Sequence, residues 1–546
     1  MRCSGWLFLL ALLSAGSARA QAVIAEDRLK DFPSDPAWMY PYESFGREGW
    51  EYYIEHDPVL RLSDGEFLYL WRKRFSWRGD LSIRRSNLFL ETIWEQDVEL
   101  AEEEHVLHVL RTDSLAVLVT HTYEMLRQQH TVRARGFSLA SGAPQEPVIL
   151  WAMQGRSDQE AICEPAPDGN GFMLYSLLPE QPEDRVTLYS DYIRPDGRLG
   201  VRASRAGGLR YVRYDSTLNR ISDGQFSLPW KKATFLGCHA DAGGRLYAAW
   251  YEARRRLHVM QVQPGGQTRT LTYDAYPKPQ QWTDGYLTQF PPLVGRHEQV
   301  YLSIAERLNG GRLRGQQAFQ VLAFDFQRET VDLSRRIDVS STLRVAVAQA
   351  REAYGLKPRF SFDHYYLHGQ YELADGRLWL AVQAVHRELA AQLPPGNVAD
   401  RPSQRNEELI FFEFGPDGSP GRTLIIPTHQ IVELPAERMG MYYSLALDPV
   451  SGQGRLITRE PADDKLRGPE RIFLRRIDLN QGTIGDRKLL YEGKRRSQFV
   501  LNAYTEWLNP DLLTLTMLDG DMLDAILLTL NLSAEPEPES ENRRRR

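Results

Sequence analysis

Cysteine is scarce in this chain, three residues in 546, and one of them, Cys3, falls within the first twenty positions. So few thiols exclude a disulfide-dense scaffold and a cysteine-caged zinc module. Beyond residues 1–20 no stretch approaches the roughly 20 apolar residues that a membrane-crossing helix needs, so no transmembrane segment is expected there. No basic block interrupts the body of the chain, and 72 Asp and Glu outnumber 66 Lys and Arg, a net charge of −6. That balance gives nucleic acid no electrostatic footing, so no nucleic-acid partner is expected. Also missing are a Gly-x-Ser-x-Gly elbow, a Walker loop, a His-Glu-x-x-His pair and a Cys-x-x-Cys pair. Their absence removes the commonest nucleophile, phosphate and zinc chemistries from first consideration, and neither a metal nor a cofactor is expected.

Residues 1–20, MRCSGWLFLLALLSAGSARA, place Arg2 ahead of an apolar stretch at 6–13 and small residues at Ala18 and Ala20. This reads as a signal peptide cleaved after Ala20, its apolar stretch too short to span a bilayer; a retained anchor is the alternative. No cysteine follows that stretch at a cleavage position, which argues against a lipid anchor. The mature chain is expected to be soluble and periplasmic or secreted, and more acidic, because cleavage removes Arg2 and Arg19 and no acid. Cys163 and Cys238 then remain in a compartment where disulfides persist. A bridge between them would close a loop of about 75 residues and contribute about 4 kcal/mol in the chain-entropy model. Two unpaired, buried thiols are the alternative.

What the chain has is a recurring hairpin: a turn, often Asp-Gly, an alternating apolar strand, a polar turn and a second strand. Asp241-Ala-Gly-Gly-Arg-Leu-Tyr-Ala-Ala-Trp250 followed by residues 257–262 is one copy, and Asp375-Gly-Arg-Leu-Trp-Leu-Ala-Val382 opens another. Strand pairs are predicted at 67–71 with 81–90, 115–122 with 131–139, 172–177 with 186–189, 199–203 with 209–214 and 246–251 with 257–262. Further pairs fall at 300–305 with 319–326, 378–385 with 409–414, 455–458 with 472–479 and 512–517 with 526–532. The third and fourth pairs lie close enough to share one blade. One β unit repeated through most of the chain predicts an all-β fold, a β-propeller of seven blades with eight as the alternative count. Two stacked β-sandwiches are the other architecture.

The expected organisation is a signal peptide at 1–20, an aromatic lead-in at 21–60, the propeller at 61–532 and a disordered tail at 533–546. The lead-in carries Trp38, Tyr40, Tyr42, Phe45, Trp50, Tyr52 and Tyr53, rings that pack over the first blade or close it against the last, or else stack on a ligand. The tail alternates Glu with Pro and Ser before four arginines and holds too little apolar surface to offset ordering. Residues 342–354 lack Gly and Pro and predict a short inserted helix, while 388–406, with Pro394-Pro395-Gly396, predict a long surface loop.

Innermost strands of a propeller line its channel, so residues just ahead of them are the candidates for binding at the funnel face. These are Asp191, His239, Asp284, Arg296, Arg359, Asp363, His364, His368, Tyr443, Glu506 and Trp507. His364 and His368, at i and i+4 on a strand, lie about 13 Å apart along the backbone, too far to share one metal. Asp191, Asp284, Asp363 and Glu506 supply carboxylates on converging loops, or serve as turn caps.

Val186-Thr-Leu-Tyr-Ser-Asp-Tyr-Ile-Arg-Pro-Asp-Gly-Arg-Leu-Gly-Val201, Gly208-Leu-Arg-Tyr-Val-Arg-Tyr214 and Cys238-His-Ala-Asp-Ala-Gly-Gly-Arg-Leu-Tyr-Ala-Ala-Trp250 resemble the blades of sialidase-like propellers with BNR-type repeats. The resemblance covers mainly residues 186–305 and implies a propeller that handles saccharides in its funnel. The Ser-x-Asp-x-Gly-x-Thr-Trp box of that family is not intact: Ser222-Asp223-Gly224 and Trp282-Thr-Asp-Gly285 only echo it. Two functions follow as expectations. One is an exported propeller that binds a glycan, peptide or protein partner. The other is a glycoside hydrolase or polysaccharide lyase using Asp191 or Asp363 with His239, His364 or Arg296.

Overall fold

The computed structural model describes residues 23–29, 39–42, 51–54, 59–63, 65–72, 81–101, 104–112, 114–156, 159, 161–165, 171–181, 184, 186–193, 199–204, 206–230, 233–241, 243–252, 256–274, 286–287, 293–308, 315–360, 362, 365–388, 403–433, 443–461, 469–496, 499–518 and 525–533. Residues 1–20, the tail beyond Ser533, Asp284, Asp363 and His364 lie outside them.

Antiparallel sheets succeed one another along the chain, each built from an innermost strand outward, and they form an eight-bladed β-propeller, the larger of the two expected counts. Blades 1 to 7 occupy residues 59–98, 104–154, 162–227, 233–274, 286–338, 365–433 and 444–496. Blade 8 takes three strands from the C-terminal end, Phe499–Asn509, Leu512–Leu518 and Ala525–Asn531, and its outermost strand, Val23–Leu29, from the other end of the chain. The ring is therefore closed by the segment expected to be a lead-in. Beyond it, Met39–Tyr42 and Glu51–Ile54, which carry Tyr40, Tyr42, Tyr52 and Tyr53, pair as a separate hairpin, while Trp38, Phe45 and Trp50 lie outside the described residues.

Packing explains which strands the sequence revealed. Second strands such as Leu246–Glu252 are covered on both faces by neighbouring blades and read as apolar runs; six of its seven residues are buried. Outer strands alternate between solvent and sheet, as in Thr268–Asp274. Residues 187–204, expected as halves of two hairpins, form one hairpin, Thr187–Ile193 with Leu199–Ser204, inserted in the chain between the second and third strands of blade 3 and joined to the sheet of blade 4 by Ala203 opposite Phe235.

The expected helix is present at Ser341–Ala353, with the Ser340 hydroxyl accepting from the Leu343 amide at 3.2 Å. Around the predicted loop at 388–406, strands Leu378–Glu388 and Ser403–Phe414 run further than expected, and 389–402 lie outside the described residues.

The Cys163–Cys238 bridge is not formed. Each sits on the innermost strand of its blade, but Cys163 packs into the core between blades 2 and 3 and Cys238 into the core between blades 3 and 4. The sheet of blade 3 lies between them.

Candidate functional site

Innermost strands of several neighbouring blades touch, and each blade has a leading end, where its innermost strand starts, and a trailing end, where it finishes. The Asp-Gly turns join first to second and third to fourth strands, so they gather at the trailing end. Asp448 shows how they are built. Its carboxylate accepts from the Val450 amide at 3.0 Å, the Ser451 amide at 3.2 Å and the Ser451 hydroxyl at 2.5 Å. Those bonds hold its carboxyl below the usual range. Gly452 completes the turn at φ +65°, where a Cβ would meet the Asn480 side chain at 2.8 Å.

This turn forms one wall of a cleft of about 910 Å³ that crosses the trailing ends of blades 7, 8 and 1. Leu445, Ala446 and Leu447 come from the innermost strand of blade 7, Trp507 and Asn509 from that of blade 8, and Arg61 from that of blade 1. Trp507 is half-buried, and its indole N–H donates to the Ser444 hydroxyl at 2.8 Å, which fixes the ring across the blade boundary. Asn509 ends that strand: its side-chain oxygen accepts from the Asp511 amide at 2.8 Å around Pro510. Arg455 reaches from blade 7 to the Pro510 carbonyl and the Asp511 carboxylate. Arg476, Asp478, Ser451 and Gln453 complete a polar rim around an apolar floor.

The remaining candidates divide between the two ends. His239 is the penultimate residue of the innermost strand Ala233–Ala240 and lies half-buried towards the trailing end. Arg296 occupies the first turn of blade 5; its amide donates to Glu372 at 2.9 Å and its guanidinium to the Ala374 carbonyl, joining blade 5 to blade 6. Glu506 precedes Trp507 on the same trailing stretch. Asp191 lies in the inserted hairpin and His368 within the innermost strand Tyr365–Glu372. Tyr443 is a core residue between blades 6 and 7, its hydroxyl 3.3 Å from that of Tyr371.

Arg359 belongs to the leading end, in a network that sequence reasoning missed. Its guanidinium bonds Glu407 at 2.9 Å, and Arg351 at the end of the helix bonds Glu407 at 2.7 Å and also Glu408. Glu407 and Glu408 are buried where the register between Leu378–Glu388 and Ser403–Phe414 shifts. Beside them the Tyr354 hydroxyl and Arg487 each reach Glu460 at 2.6 Å, and burial pushes the Glu460 carboxyl up. The only sequence trace of this network is the consecutive pair Glu407-Glu408, which breaks the alternation ahead of an apolar run.

A third polar group crosses blade 2. His121 Nδ1 lies 3.2 Å from His105 Nε2, His121 Nε2 lies 2.9 Å from His130 Nδ1, and His130 Nε2 lies 2.7 Å from the Arg156 carbonyl. The three histidines are 16 and 9 positions apart, a spacing that carries no local signature.

No family model and no curated protein matches the sequence. Among solved structures, Sqt1 from Chaetomium thermophilum is 12% identical, with a TM-score of 0.42, covering 87% of this chain and 96% of that one. The polysaccharide lyase Uly1 is 12% identical, with a TM-score of 0.38, covering 94% and 100%. A protein from Lactobacillus plantarum is 11% identical, with a TM-score of 0.36, covering 79% and 96%. Nothing at the sequence level extends a likeness to sialidases.

Proposed function

We propose that this protein is an exported propeller that binds a glycan, without transforming it, in the trailing-end cleft over blades 7, 8 and 1. The observation that carries the reading is Trp507: a half-buried indole, fixed by Ser444, in a cleft whose rim alternates Arg61, Arg455 and Arg476 with Asp448 and Asp478. An indole face accepts the C–H face of a sugar ring, and paired donors and acceptors of both signs suit hydroxyl groups. Binding is preferred to hydrolysis because a general acid needs a carboxyl held protonated, whereas Asp448 is held ionised by its own turn. Export agrees with the closure of the ring: cleavage after Ala20 leaves the strand Val23–Leu29 whole.

The test is a screen of neutral and acidic oligosaccharides by calorimetry with the mature protein and Trp507→Ala. The expected result is binding of at least one glycan that weakens about tenfold or more in the variant, the loss of one stacking contact worth about 1.4 kcal/mol. Equal affinity in both proteins would remove the cleft from the function, and turnover of the bound glycan would replace binding with catalysis.

A further inference from the structure

The histidine row in blade 2 has a direction. A backbone carbonyl only accepts, so the 2.7 Å contact with the Arg156 carbonyl places a proton on His130 Nε2. Neutral His130 then presents a lone pair at Nδ1, and His121 Nε2–H donates to it at 2.9 Å. Neutral His121 in turn presents a lone pair at Nδ1, and His105 Nε2–H donates to it at 3.2 Å. Every ring is thus an Nε2–H tautomer, and three bonds run one way from the half-exposed His105 to the chain crossing between blades.

Such a row tolerates a proton at one end only. On His105 Nδ1 an added proton leaves all three bonds in place. On His121 Nδ1 or His130 Nδ1 it sets one N–H against another and breaks a link. Both inner rings are fully buried. Burial first, then the neighbouring His105 and His130, hold His121 well below the usual imidazole value.

The row lies on the face of blade 2 that packs against blade 3, beside Val119, Val132 and Phe172. The charged and titratable groups described around it come from every neighbouring element, beginning with buried His108, which stands opposite Val119 on the strand of His105. Tyr123, on the strand of His121, has its ring 4.6 Å from that of His130. Arg156, in the crossing, donates to the Asp184 carbonyl at 3.3 Å. Arg210 of blade 3 donates to the Gln154 carbonyl at 2.9 Å and to Gln159 at 3.5 Å. Glu104, held by Arg135 at 2.6 Å and by Thr120 at 2.7 Å, faces blade 1 instead.

We propose that His105, His121 and His130 form an acid-sensitive latch: neutral, they hold the crossing at Arg156 and close the leading end of the seam between blades 2 and 3, and protonation of the inner pair releases it. The sign follows from linkage. The folded latch binds fewer protons than the unfolded or open chain, so its contribution is complete above the ordinary imidazole value and declines as pH falls below it. The opening constant then rises up to tenfold per pH unit for each proton taken up.

Hydrogen exchange at the Gly155 amide, which donates to the Gln128 carbonyl, and the Gln159 amide, which donates to the Arg156 carbonyl, reads the latch directly. In the unaltered mature protein, protection at both sites, corrected for intrinsic rates, is expected to fall about tenfold or more from about pH 7.5 to about pH 5, while amides of blade 6 hold theirs. In His130→Gln, whose amide can still donate to Arg156 and accept from His121 but cannot charge, that fall should shrink, and His121→Gln should act alike. Unchanged protection in the unaltered protein, or an undiminished fall in both variants, would overturn the latch. The unaltered protein's profile decides the matter even if a variant fails to fold.

Discussion

Cys238 is fully buried on the innermost strand of blade 4, and burial, with Glu164 nearby, pushes its thiol well above the usual value. It should not react as a thiolate near neutral pH while the blade is folded. A thiol count on the denatured, unreduced protein is expected to find both Cys163 and Cys238 free, and on the folded protein a charged alkylating reagent should spare Cys238. One count of zero free thiols after denaturation would restore the bridge. The sequence offered these two cysteines as a pair, and they lie on the innermost strands of adjacent blades. It could not indicate which face each occupies, because that depends on a register set by neighbours distant in the chain. Trp507 was named as a residue just ahead of an innermost strand, whereas it lies near the end of one, Phe499–Asn509. Its cleft partners Arg61 and Arg476 come from other blades and carry no local mark.

Among elements, the helix Ser341–Ala353 was legible from composition alone, whereas what holds it was not. Val347, Ala348 and Arg351 form its buried side, so a charge is buried along with the apolar residues. Arg351 is only 3% exposed and faces two carboxylates, of which Glu408 is 0% exposed and also accepts from Tyr365. Removing the guanidinium leaves Glu407 to Arg359 but takes the described cation away from buried Glu408, so Arg351→Ala is expected to cost about 3 kcal/mol or more. Ser340→Ala removes one cap bond at the opposite end and should cost about 1 kcal/mol. Chemical denaturation of the two variants checks the order. An Arg351→Ala protein as stable as Ser340→Ala would mean that solvent reaches Glu407 and Glu408. Several innermost strands failed to register because they are short, as in Leu293–Val294 and Ser444–Leu447, so few residues carry an alternation; Ala233–Ala240 and Tyr365–Glu372 are longer and were missed all the same. The candidates taken as preceding innermost strands therefore fell in different places: Arg359 at a leading end, His239, His368, Glu506 and Trp507 on innermost strands themselves, and Arg296 in a first turn, where a second strand begins.

Across the whole molecule, arginines at the trailing end tie each of several blades to its neighbour. Arg85 reaches the Leu139 carbonyl, Arg269 the Phe326 carbonyl, Arg296 the Ala374 carbonyl, Arg335 the Pro416 carbonyl and Arg455 the Pro510 carbonyl. These bonds act between adjacent sheets, but a ring also needs closure, and that rests on one strand. Val23–Leu29 pairs with Ala525–Asn531 from Val23 opposite Leu530 to Leu29 opposite Ala525. Without it the last blade exposes an edge whose residues, Ala-Ile-Leu-Leu-Thr-Leu-Asn, are largely apolar, the kind that recruits a second chain. A protein lacking residues 21–29 is expected to lose on the order of 5 kcal/mol, about 1 kcal/mol for each net backbone bond given up. For a chain this long that is a fall in melting temperature on the order of 5 °C. It should also self-associate on size exclusion, and a peptide with the sequence Val-Ile-Ala-Glu-Asp-Arg-Leu should restore both the monomer and the melting temperature. A monomer that melts unchanged would mean that the three C-terminal strands close the ring unaided. The peptide separates that outcome from simple misfolding, because a ring that had lost only its closing strand would recover on adding it, whereas a misfolded chain would not.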